Sequence, residues 1–129
     1  MDRDVIKTII EEQVKAINPL LRERYGWQIE ISNLSVFAKM KSFKDNEEYM
    51  VRIQCDNYPN VTIHFVNPST RNPEPTAWPI DQPSEGPSVF GDMNFTFCRP
   101  GPGQWTIGEM IHRIQFYLNY EGYKGRRPG

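Results

Sequence analysis

The chain has 129 residues, 38% of them hydrophobic and 24% charged, with a net charge of −1. That length suits one domain with a real core and is short for two, and the near-neutral charge gives no electrostatic case for nucleic acid or an anionic membrane. Two cysteines without a CxxC spacing and two histidines argue against a disulfide framework or a zinc site, and no cofactor is implied. No apolar run is long enough to cross a bilayer. The opening MDRDVIKTII has no hydrophobic signal core and carries acids where a signal peptide has bases, so a cytoplasmic location is expected.

The first predicted element is a helix. Asp2 or Asp4 can cap it, and Val5, Ile6, Ile9, Ile10, Val14 and Ile17 recur at three- and four-residue spacings, which gives one apolar stripe. Pro19 is expected to bend or end it, with LLRERY supplying another turn and Gly26 the break that follows. Period-two alternation then predicts strands in WQIEI (27–31), YMVRIQC (49–55) and VTIHF (61–65), with VFAKMKSF (36–43) a weaker fourth. Short links between consecutive strands favour an antiparallel meander covered on one face. On this pattern Cys55 belongs to the core, His64 to the wetter face, and Trp78 and Trp105 pack loop against sheet.

Residues 67–91, NPSTRNPEPTAWPIDQPSEGPSVFG, hold six of the eleven prolines, which rules out a central strand or helix interior there and predicts a stiff connection. Such a long ordered loop in a small domain is often functional. A short extended piece, NFTFC, leads into RPGPG. The last helix opens at Thr106, with Glu109 three residues on in the spacing of a capping box. It buries Ile107, Met110, Ile111, Ile114 and Leu118 and turns His112 outward. One α+β domain is therefore expected over 1–121. Residues 122–129, with Lys124, Arg126, Arg127 and three glycines, are expected to be a flexible basic tail.

The order of these elements resembles the ubiquitin-conjugating (E2) fold: helix, four-strand meander, YP near the third-to-fourth strand turn, Pro-rich loop, short extended segment, Trp105 and a Thr-capped helix. The resemblance covers nearly the whole chain and is closest to the compact bacterial E2-like proteins of antiviral (CBASS-type) and ubiquitin-like conjugation operons. YMVRIQCDNYPNVTIHFVNP is similar to that group's strand-turn-strand, and FTFCRPGPGQW to its cysteine segment, Pro/Gly loop and tryptophan. The resemblance implies a UBC-like domain whose partners are a ubiquitin-like protein, an E1-type activator or a nucleotidyltransferase.

Two registers compete at the nucleophile. In the group the cysteine stands in a Leu-Cys-Leu-Tyr-x-Pro segment, with a His upstream. Aligned without gaps, Pro87, Pro100, Gly103 and Trp105 coincide with the pattern, Thr96 takes the place of the nucleophile, Cys98 that of the Tyr, and Ser88 that of the His. The other register slides Cys98 into the nucleophile position and shortens the loop to Trp105 by two residues. An E2 carries its cargo as a thioester, which needs a sulfur with thiolate character. A threonine hydroxyl lies far above such a pKa, and DMNFTFCR places no His or Lys to activate Thr96. Asn94 is the candidate oxyanion donor, outside the family's His-Pro-Asn context. Cys98 has Arg99 beside it, and an extended segment puts Thr96 and Cys98 on one side about 6–7 Å apart. The expectation is a non-catalytic E2-like protein-binding module, with a transferase forming a thioester at Cys98 as the alternative. The terminal RRPG lacks the Gly-Gly ending of ubiquitin-like modifiers.

Overall fold

The computed structural model describes residues 2–57, 61–80 and 105–128. Its first helix, α1 (Arg3–Lys15), starts where Asp2 can accept from the Asp4 N–H at 2.7 Å, satisfying one of the donors that a helix start leaves open. Ile6 and Ile10 are buried from this helix and Ile17 from just beyond it, whereas Val5 falls off the stripe and is exposed. Pro19 neither bends nor ends α1. It opens a separate helix, α2 (Pro19–Tyr25), with Asn18 accepting from the Leu20 N–H at 2.9 Å. A proline in a first turn removes a donor that has no helical partner anyway. Gly26 closes α2 at φ 67°, a left-handed conformation that costs glycine little.

Four strands follow, β1 (Gln28–Ser32), β2 (Ser35–Lys41), β3 (Glu48–Gln54) and β4 (Thr62–Val66), paired antiparallel in sequence order. Ser32 pairs with Ser35, leaving Asn33 and Leu34 as a two-residue turn, and Asn33 supplies the positive φ of 54° that tight hairpins favour. A 3-10 turn, Pro75–Ala77, lies within the proline-rich stretch, and α3 (Ile107–Asn119) completes the described elements. The molecule is thus an α+β protein with three helices and a four-stranded antiparallel meander among the described residues; the meander is what the alternation predicted. None of these helices is long and apolar enough to cross a membrane.

The helices pack on one face of the sheet. Val36 and Ala38 of β2, Val51 and Ile53 of β3, and Ile63 and Phe65 of β4 form the core with Ile6, Ile10, Met110, Ile111 and Ile114. Cys55 is in that core, as expected. The outer face has its own small cluster, Phe37, Met50 and Val66. Residues 67–72 fold back over it, with the Arg71 N–H donating to the Asn67 carbonyl at 2.7 Å. The Arg71 guanidinium lies 4.5 Å over the Phe37 ring and pairs with Glu30.

The segment expected as a loose tail is tied down where it is described. Tyr123 is buried, its hydroxyl 2.5 Å from that of Tyr49 and donating to Asp45 Oδ2 at 3.0 Å. Arg126 pairs with Glu47 at 3.1 Å and lies over the Tyr49 ring. Its backbone bridges to Pro79, and the Arg127 N–H donates to the Trp78 carbonyl at 2.8 Å. The glycines suggested fraying, but one aromatic anchor and a strip of backbone pairing outweigh that propensity.

Candidate protein-binding face

α3 is fastened at both ends. Thr106 Oγ1 accepts from the Glu109 N–H at 3.1 Å while Glu109 Oε1 accepts from the Thr106 N–H at 3.1 Å, the reciprocal box that the sequence predicted. Gln13 of α1 reaches across to accept from the Ile107 N–H at 2.9 Å. At the other end Ser42 Oγ donates to the Leu118 carbonyl at 2.6 Å, and Asn119 Oδ1 accepts from the Phe43 N–H at 2.9 Å. All but the Asn119 bond satisfy backbone groups that the helix itself leaves unpaired.

The buried stripe is the expected one, Ile107, Met110, Ile111, Ile114 and Leu118, joined by Gln115. Gln115 is polar and fully buried, which is tolerable because it is bonded. Its Oε1 accepts from Trp27 Nε1 at 2.9 Å and its Nε2 donates to the Lys41 carbonyl at 2.7 Å.

With that stripe facing the sheet, the spacing turns Phe116 of α3 outward, while Tyr117 packs partly buried against the core. Phe116 is 67% exposed and Tyr120 55%, their rings 6.1 Å apart. Trp105 lies at the start of the helix under Arg113, whose guanidinium sits 4.7 Å from the ring centroid. Between Trp105 and Tyr120 runs an open groove of about 550 Å³, lined also by Glu109, His112 and Tyr117. His112 is half-buried, 5.8 Å from the Tyr25 ring and 6.1 Å from that of Trp27, so it is packed as well as outward. Tyr25 in turn meets Phe43, which is exposed. Large aromatic groups held at a surface by a rigid element are the usual anchors of protein interfaces.

The face offers contact area and little reactive chemistry. Glu109 is engaged in the helix cap, and no group of three His, Cys, Asp or Glu side chains among the described residues could hold a metal ion. Cys55 has no exposure; burial first, then the charge of Asp56, pushes its thiol well above the usual range, so it is not a nucleophile. Ser88, Asn94, Thr96 and Cys98, the residues named from the resemblance, lie outside the described residues, as does Gly129. The proline-rich stretch is described as far as Ile80, and Trp78 in it is buried against Phe65 at 5.4 Å and edge-on to His64 at 6.2 Å.

Phe116, Tyr120 and Phe43 were not singled out from the sequence. The signal was present for the first two, since an aromatic pair at i and i+4 out of phase with the apolar stripe must face away from the core. No known family, curated protein or solved structure matches the chain significantly.

Proposed function

We propose that this protein is a non-catalytic E2-like protein-binding module of a cytoplasmic bacterial ubiquitin-like or antiviral signalling system. The observation that carries the binding reading is the exposed Phe116–Tyr120 pair beside an open groove on a helix fastened at both ends. The E2-like reading rests on the order of elements, a capped helix following Trp105 and a meander preceding the proline-rich stretch. The absence of catalysis rests on Thr96 taking the nucleophile's place in the ungapped register. Under this reading the partner is a ubiquitin-like protein, an E1-type activator or a nucleotidyltransferase, held without transfer of cargo.

Titrating each of these three into the full chain by isothermal calorimetry tests the reading. One of them is expected to bind, and Phe116→Glu is expected to weaken it about tenfold or more, the effect of placing a charge at an apolar anchor. Binding by none of the three, or equal binding by Phe116→Glu, overturns it. The second reading is a transferase with its thioester at Cys98, for which the burial of Cys55 leaves Cys98 as the candidate sulfur.

A further inference from the structure

The antiparallel register lays a row of side chains across the outer sheet face, Glu30, Phe37, Arg52 and His64 from β1 to β4. Most charge on this face is answered. Arg71 pairs with Glu30, and Lys39 with Glu48 at 2.9 Å. Arg52 is different: no described carboxylate pairs with it, and its Nε is buried without a hydrogen-bond partner. Directly opposite, His64 Nδ1 is buried and equally unpartnered. The next rung on the same face is Gln54 opposite Thr62. A guanidinium, an imidazole, an amide and a hydroxyl are therefore adjacent on two strands. All four can donate, and none carries negative charge. The nearest acid in sequence, Asp56, accepts from the Gln54 amide at 3.4 Å.

A half-buried guanidinium N–H without an acceptor is costly to keep. Burial first, then the charge of Arg52, pulls the His64 imidazole below its usual range, the response of a base beside an unanswered cation. The surrounding face leans the same way, since Lys39, Lys41, Arg52 and Arg71 outnumber Glu30 and Glu48. We propose that Arg52 and His64, with Gln54 and Thr62 beside them, form a binding site for a phosphate-class oxyanion on the outer face of β3 and β4. The guanidinium fork matches such an oxyanion bidentately, and the anion supplies the acceptors that the sheet does not. This face lies across the sheet from α3, so the site stands or falls independently of the binding face on that helix.

The test is a titration of the isotopically labelled full chain with inorganic phosphate at constant ionic strength, with acetate as a separate arm, followed by nuclear magnetic resonance. Phosphate is expected to give saturable shifts at Arg52, Gln54, Thr62 and His64, weakened about tenfold or more in Arg52→Gln and less in Arg52→Lys, which keeps the charge and loses the fork. Saturation by acetate in place of phosphate overturns the phosphate assignment. Absence of saturable shifts with either anion overturns the proposal. So does unchanged phosphate affinity in Arg52→Gln while the methyl signals of Val51 and Ile63 stay native; if those signals collapse, Arg52→Lys is judged by the same criterion.

Discussion

Tyr123 shows how much one hydroxyl can organise. It lies between the Tyr49 hydroxyl at 2.5 Å and Asp45 Oδ2 at 3.0 Å, joining the C-terminal segment to the loop after β2. Burial, then hydrogen bonding to Tyr49 and Asp45, raises its proton affinity, so it remains a neutral donor across the ordinary pH range. Tyr123→Phe keeps the ring and deletes the shared proton, leaving the buried Tyr49 hydroxyl short of a partner. We expect a loss of about 1–2 kcal/mol, read as a lowered urea midpoint with unchanged slope. Nothing in EGYKGRRPG foretold this: glycines and like charges are local signals, whereas Tyr123 is held by residues about 75 positions away. Gln115 was equally opaque, because a buried amide is identified by its partners and not by its place on a stripe. Cys55 was legible, being in phase with Tyr49, Val51 and Ile53 on one strand face.

At the scale of elements, the strand that alternated least is β2, one of the two inner strands. β2 pairs with β1 on one side and β3 on the other, and Val36, Phe37 and Ala38 are all buried. Phe37 is covered from the outer face by Arg71, and covering both faces erases the polar-apolar rhythm from which strands are read. The start and the apolar stripe of α3 were legible, because capping box and stripe are both local patterns. Thr106→Ala removes the acceptor for the Glu109 N–H and is expected to cost about 1 kcal/mol, measurable by chemical denaturation. The same substitution should leave the inner stripe in place, so the near-ultraviolet spectrum of the folded protein should be unchanged. Pro19 was legible as a boundary and ambiguous in sense, since a proline serves equally to stop one helix and to start the next.

At the scale of the molecule, one sheet separates two surfaces of different chemistry. The helical side presents aromatic groups beside a groove; the outer side presents unanswered donors on β3 and β4. The architecture was readable because hairpin links and a period of two leave few ways to order four strands. The candidate site was readable only in part. Moving the alignment by two residues is one full strand period, so periodicity cannot choose between Thr96 and Cys98. For the aromatic pair the outward direction was readable and the exposure was not, because whether an outward ring is covered depends on everything else in the fold.

The central claim is that this chain holds its partner without carrying acyl cargo. The direct measurement is intact-mass spectrometry of the full chain after incubation with an E1-type activator, its ubiquitin-like protein and ATP, with and without reductant. The account predicts only the unmodified mass in both samples. A reductant-sensitive adduct that is lost in Cys98→Ser and retained in Thr96→Ala would contradict it.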